Sequence, residues 1–304
     1  MTDTFSLETL SQCPLCGNST GLRQLLESSD YESSHTGDYP IISCSACGLA
    51  FTNPRPTEAS IPQLYAARST PDFALGSKGI VQRLRNWVAR RYLLRRLPKN
   101  DSIPLDVLDF GCGDGTLTAG VSQITSTRTG TTTVTAVDFH DQAPHLLTDC
   151  GSSVRYLDYW TWRSNSNCYD VVFLRHVLEH HPEPLRLISE LRESLKPDGV
   201  LHIEVPNRRS MWAQIFGRYY VGYYVPRHLM HFDGPSLHRV LSDGGLRVIE
   251  FRKSHTPFIG RSIGYALSMD IDNLGVFGLA TYPLQVALDT LFGRSTTLRI
   301  AAKR

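Results

Sequence analysis

Short apolar runs alternate with stretches of helical periodicity through the middle of the chain. Leu105 to Phe110 is a run of strand character that ends in Gly111-Cys112-Gly113-Asp114-Gly115, with helix-compatible sequence behind it. Thr131 to Val137, Ser153 to Leu157 and Tyr169 to Leu174 read as three further strands. A helix over Leu185 to Leu195, a turn at Lys196-Pro197-Asp198-Gly199 and a strand over Val200 to Pro206 follow, with a last strand at Thr297 to Ala302. Strands alternating with helices predict an α/β fold, a doubly wound sheet with helices on both faces. Ile80 to Leu97 repeats apolar residues at helical spacing, carries arginines at the margin of the stripe and is closed by Pro98. Two readings fit this basic helix: it covers the sheet before its first strand, or it lies on anionic lipid as a peripheral membrane contact.

The first fifty residues follow a different pattern. Cys13-Pro14-Leu15-Cys16-Gly17 is matched by Cys44-Ser45-Ala46-Cys47-Gly48. Two C-x-x-C turns, each followed by glycine, set four thiolates for a tetrahedral Zn²⁺, whereas redox chemistry needs only one such pair. Cys13, Cys16, Cys44 and Cys47 would fill the coordination sphere and leave no place for water or substrate, so the metal is expected to be structural. This zinc-ribbon module spans 1–56 and leaves through the proline-braced Thr52-Asn53-Pro54-Arg55-Pro56-Thr57. The chain has 304 residues, enough for one main domain (57–304) beside the module. Thirty-one basic against 29 acidic residues, net +2, give no general drive toward nucleic acid. Seven cysteines, four of them assigned to metal, and no leader-like pattern at Met1-Thr2-Asp3-Thr4 point to the cytoplasm. No apolar run reaches the ~18 residues of a membrane span; the nearest, Leu274 to Leu288, contains Pro283.

Candidate chemistry begins at the glycine turn. Glycines between a strand and a helix let the backbone take positive φ and approach a ligand. A dinucleotide fingerprint needs G-x-G-x-x-G, but here the third glycine, Gly115, comes one residue early. Asp109, directly before the loop, would repel a pyrophosphate and suits a cationic amino-acid ligand. Asp138 ends the second strand, placed to accept both hydroxyls of a ribose, and Asp158 ends the third, placed to accept from an adenine amino group. A sulfonium amino acid bearing adenosine fits all three acids.

Leu108-Asp109-Phe110-Gly111-Cys112-Gly113-Asp114-Gly115, Val137-Asp138, Tyr169-Asp170-Val171-Val172, Val177-Leu178-Glu179-His180 and Leu195-Lys196-Pro197-Asp198-Gly199-Val200 together resemble the class I S-adenosylmethionine-dependent methyltransferases. The resemblance covers a core of about 103–251. It implies a Rossmann-like, doubly wound seven-stranded sheet with the last strand antiparallel, and a C-terminal helical insertion and last strand over 255–304. It also implies S-adenosyl-L-methionine as co-substrate, held by Asp109, Gly111, Cys112, Gly113, Asp138, Phe139, Asp158 and Arg175.

The acceptor side is expected in an aromatic lid over 207–232, where Trp212, Phe216, Tyr219, Tyr220, Tyr223 and Tyr224 precede Pro226-Arg227-His228-Leu229-Met230-His231-Phe232. An oxygen acceptor must lose its proton, and histidine is the natural base near neutral pH. His228 and His231 are the first candidates and His180 the next. His176 and His180 are expected on one helical face after the fourth strand. A small-molecule methyltransferase acting on a sugar, glycan precursor or secondary metabolite is the leading expectation, with O- and C-methylation both open. An RNA methyltransferase gripping nucleic acid through the ribbon, or a non-catalytic cofactor-binding module, are the alternatives. Base N-methylation usually needs an Asn/Asp-Pro-Pro-aromatic element, and this chain has Leu174-Arg175-His176-Val177 in that place.

Overall fold

The computed structural model describes residues 5–32, 37–61, 64, 87, 89–139, 142–163, 168–269 and 274–304, with side chains in the last stretch from 281 onward. The chain forms two compact units: one gathers 1–69, 176–188 and 203–301, the other 70–175, 189–202 and 302–304.

In the first unit, β1 (Leu7–Glu8) pairs with β5 (Arg55–Pro56), and Arg55 Nε donates to Glu8 at 2.8 Å. Next to this pair in sequence are β2 (Leu22–Ser29), β3 (Asp38–Cys44) and β4 (Ala50–Thr52), joined antiparallel. The fourth strand of their sheet comes from far along the chain: β11 (Met230–His231) pairs with β4, Met230 opposite Phe51 and His231 opposite Ala50. The aromatic block expected as a lid is core here. Trp212, Tyr220, Tyr223 and Tyr224 are buried, and all but Tyr224 cluster with Tyr39, Ile41 and Ala50 of the cysteine-bearing segment and with Phe258, Ile259 and Tyr265. Two of these rings have their polar tips bonded, which lowers the cost of burying them. Trp212 Nε1 donates to Asp289 Oδ1 at 2.7 Å, and Tyr220 Oη donates to the carbonyls of Asn207 and Thr296.

The second unit carries β6 (Leu105–Phe110), α1 (Thr116–Thr125), β7 (Thr132–Asp138), β8 (Val154–Asp158), α2 (Tyr159–Arg163) and β9 (Tyr169–Arg175). β6 runs parallel to β7 and β9, with Val107 opposite both Val134 and Val171, and β7 runs parallel to β8. Leu105, Val107, Val134, Val171 and Phe173 are buried with Val121 of α1 and with Leu93 and Leu97. Near-continuous apolar strands are what a sheet covered on both faces requires, each such side chain contributing about 1.5–3 kcal/mol. Residues 89–94 are helical; of the basic helix expected over 80–97, positions 80–86 and 88 lie outside the described residues.

Later in the chain come α3 (Pro184–Glu193), β10 (Leu195–Pro206), α4 (Met211–Phe216), α5 (Gly234–Asp243), β12 (Arg247–Ser254), α6 (Ile259–Ala266), α7 (Leu274–Phe292) and β13 (Thr297–Lys303). The expected seven-stranded mixed sheet is present in the order β12-β13-β10-β9-β6-β7-β8. The turn expected at 196–199 is instead the start of β10. Lys196 Nζ reaches Asp106 at 2.8 Å and Asp170 at 2.7 Å, tying this end to β6 and β9. A Cβ at Gly199 would sit 2.7 Å from the Tyr169 carbonyl oxygen, so only glycine lets the backbones approach this closely. Among the described residues no helix is long and apolar enough to cross a membrane.

Candidate functional site

At the carboxyl ends of β6 and β7 the chain forms a compact loop. Gly111 N–H and Cys112 N–H both donate to the Val137 carbonyl, at 2.8 and 3.0 Å, so the loop is pinned to the neighbouring strand. Gly113 has φ 55°, and a Cβ there would meet nothing within 4 Å: its face is open to an approaching ligand. Gly115, at φ 82°, caps α1, and a Cβ on it would collide with Leu147 at 2.8 Å.

Asp138 is the centre of this end of the sheet. Gly113 N–H donates to its Oδ2 at 2.8 Å and Phe139 N–H to its Oδ1 at 2.7 Å. Each carboxylate oxygen keeps a further lone pair, the capacity needed to accept two ribose hydroxyls. Asp158 stands opposite Asp138 in the strand register. Its Oδ1 accepts from Thr161 N–H at 2.9 Å, which caps α2, and the bonds from Thr161 hold its carboxyl below the ordinary range. Phe139 is half exposed, its ring 4.8 Å from Tyr159 and edge-on to Phe110, an aromatic shelf beside Asp138. The Cys112 side chain is buried with Ala136 and Leu147, so this residue offers the loop its backbone.

Asp109 is more enclosed than a ligand-facing acid. It is 3% exposed, and Thr118 Oγ1 donates to its Oδ2 at 2.6 Å, fastening α1 to the end of β6. Burial raises its pKa from 3.8 to about 6, opposed by the Thr118 bond and by the Arg175 guanidinium. Arg175 closes β9 and lies over the Tyr92 ring at 5.3 Å. A raised carboxyl pKa stabilises the fold fully only below the unfolded value near 3.8, and this contribution is lost as pH rises through about 6. Asp109→Asn keeps an acceptor for Thr118 and removes the titration. In denaturant titrations of the cofactor-free chain, the stability of wild type relative to Asp109→Asn should therefore fall as pH rises from about 4 to about 6 and level off above that. A pH-independent difference would show that Asp109 titrates normally.

The other unit holds the cysteines and the histidines. Cys13 and Cys47 Sγ are 3.5 Å apart, Cys16 and Cys44 Sγ 3.7 Å, and all four sulfurs lie within 4.8 Å of one another. Tetrahedral Zn²⁺ with bonds of about 2.3 Å separates its sulfurs by roughly 3.8 Å, whereas a disulfide needs about 2.05 Å. Gly17 and Gly48, at φ 69° and 77°, close the two turns by donating to the Cys13 and Cys44 carbonyls at 2.9 Å. The donor set and spacing fit the metal.

His231 is buried in β11. Its Nε2 is 3.0 Å from Thr52 Oγ1, and burial, with Arg208 nearby, lowers its pKa to about 3. So weak a base is poorly matched to proton removal near neutral pH. His228 and His180 stand together, their rings edge-to-face at 4.5 Å, with burial pushing both pKa values down. His176 does not share a helical face with His180, because it takes φ 54° and residues 178–180 form a single 3₁₀ turn. Beside this pair lies Glu179, for which the Val177-Leu178-Glu179-His180 motif raised no expectation of its own. Glu179 is 1% exposed; its Oε1 lies 3.2 Å from His176 Nδ1 and 3.9 Å from His228 Nε2.

A family model described as a methyltransferase domain matches residues 81–250. Curated relatives include two named ubiquinone biosynthesis O-methyltransferase. That of Haemophilus ducreyi is 29% identical over 136 residues, 42% of this chain and 57% of the relative; that of Nitrosospira multiformis is 31% identical over 188 residues, 55% and 72%. The match thus spans little more than half the length of the first relative. Among solved structures, a coclaurine N-methyltransferase bound to N-methylheliamine and SAH is similar in fold, with a TM-score of 0.50 at 15% identity over 78% of this chain and 76% of that one.

Proposed function

Because the chain belongs to the methyltransferase-domain family, we propose that it transfers a methyl group from S-adenosylmethionine to a hydroxyl oxygen of a small molecule. The observation that carries this reading is the pairing of the open Gly113 turn with Asp138 at the carboxyl ends of β6 and β7. Asp138 accepts the ribose hydroxyls, Asp158 lies one strand away for the adenine, and Phe139 offers a ring face. The loop amides of Gly111 to Gly115 lie under the amino-acid portion, with Asp109 and Arg175 behind them setting the local charge. Oxygen rather than carbon as acceptor is supported by the names of the relatives.

The reaction asks little covalent chemistry of the protein. The acceptor oxygen attacks the methyl carbon, the carbon–sulfur bond breaks, and its electron pair stays on sulfur as a neutral thioether. Alignment and exclusion of water supply the rate, and the hydroxyl proton must leave. Burial weakens all three histidines as bases; for the proton we keep His228 and His180, which stand together beside Glu179, and set aside His231, whose Nε2 is taken by Thr52. We also assign Zn²⁺ to Cys13, Cys16, Cys44 and Cys47, as a structural ion with no coordination position left for chemistry.

Incubation with methyl-labelled S-adenosylmethionine and a panel of phenolic, sugar and enolic hydroxyl compounds tests the reaction. The label is expected on an oxygen of one class of acceptor, and a product labelled only on carbon or nitrogen would overturn the oxygen assignment.

A further inference from the structure

Glu179, His180 and His228 each direct one potential metal-ligating atom into a common space, and these atoms lie within 4.8 Å of one another. The two rings are oriented by the same device. His180 Nδ1 lies 3.0 Å from the Arg227 carbonyl oxygen and His228 Nδ1 2.9 Å from the Gly222 carbonyl oxygen. A carbonyl only accepts, so in the neutral rings the proton resides on Nδ1 and Nε2 carries the lone pair, the tautomer in which histidine binds metals. The third member is a carboxylate with an unmet need: Glu179 Oε2 is buried and has no hydrogen-bond partner among the described residues. His176 Nδ1, at 3.2 Å, holds the other oxygen. A buried carboxylate oxygen without a hydrogen-bond partner is costly, and a cation held beside it would remove that cost.

We propose that Glu179, His180 and His228 form a binding site for one divalent first-row metal ion, separate from the four cysteines. Two imidazoles and one carboxylate suit zinc, cobalt, iron or manganese, and leave coordination positions for oxygen ligands such as water or a hydroxyl group. Bonds of about 2.0–2.2 Å to three such ligands fit this separation with small side-chain movements. Both arms of the site are anchored within one unit: the Glu179 carbonyl accepts from Leu229 N–H at 2.8 Å, and Thr52 Oγ1 donates to the His228 carbonyl at 2.8 Å.

Cobalt(II) is the probe, since its visible bands distinguish thiolate from nitrogen and oxygen ligation. The full chain, first given one equivalent of Zn²⁺ to fill the cysteines, is titrated with cobalt(II) in the absence of cofactor and acceptor. We expect one cobalt per chain, with ligand-field bands and no sulfur-to-metal charge transfer. Glu179→Gln and His228→Gln should each weaken binding at least tenfold while the zinc content stays at one. Absence of a second bound metal, bands of thiolate type, or equal cobalt affinity in wild type and both variants would overturn the site. Circular dichroism identifies a variant that fails to fold, and the other then decides. Because no methyl transfer is measured, failure here and failure of the proposed reaction are told apart.

Discussion

Cys44→Ser is expected to release the zinc and to disorder the sheet built on it. Elemental analysis should fall from about one zinc per chain at this centre to none, because structural Zn²⁺ in small modules is worth roughly 10–16 kcal/mol of apparent binding energy at neutral pH. Cys44 ends β3 opposite Leu22 of β2, and its amide donates to the Leu49 carbonyl ahead of β4. Loss of the ion therefore acts on three strands together. It should also reach the histidine segment, since β11 pairs with β4 and Thr52 bonds both the His228 carbonyl and the His231 ring. A lower thermal midpoint should accompany the metal loss. Zinc retained after any two of the four cysteines are replaced would refute the centre.

Asp138→Ala should weaken S-adenosylmethionine by about 2–4 kcal/mol, roughly 30- to 1000-fold, through loss of two charge-assisted hydrogen bonds to the ribose. Its side chain also gathers the Gly113 and Phe139 amides, so the loop loses its organiser in the same step. Asp138→Asn retains one acceptor and should fall between wild type and alanine. Calorimetry reads all three, and equal affinity in wild type and Asp138→Ala would remove this acid from the site.

The parallel sheet is legible in the sequence because β6 and β9 are short, mostly apolar runs that end at a glycine turn or a charged residue. Asp138 and Asp158 were readable for the same reason: a strand that alternates with a helix must end where its apolar run ends. The N-terminal turns announced their sulfurs through spacing alone. What escaped the sequence lies in contacts between distant segments. Nothing local in Trp212 to Tyr224 distinguishes a lid from a core, and the rings are buried because Tyr39, Ile41 and Ala50 come back to meet them. Asp109 looked like a ligand-facing acid until Thr118, one helical turn into α1, took its oxygen. The face shared by His176 and His180 fails because His176 adopts a left-handed backbone that its sequence does not announce. Glu179 is unremarkable beside His180 and becomes informative only when His228 arrives from a segment far along the chain.

The central claim is that the Gly111–Gly115 turn and Asp138 hold a sulfonium nucleoside rather than a dinucleotide. Calorimetric titration of the wild-type chain with S-adenosylmethionine, S-adenosylhomocysteine and NAD tests it directly, with no acceptor needed. Both adenosyl amino acids are expected to bind with one site per chain at dissociation constants on the order of micromolar, dependent on Asp138, while NAD gives no heat of binding. NAD binding that is lost in Asp138→Ala, with neither adenosyl amino acid bound, would contradict the claim.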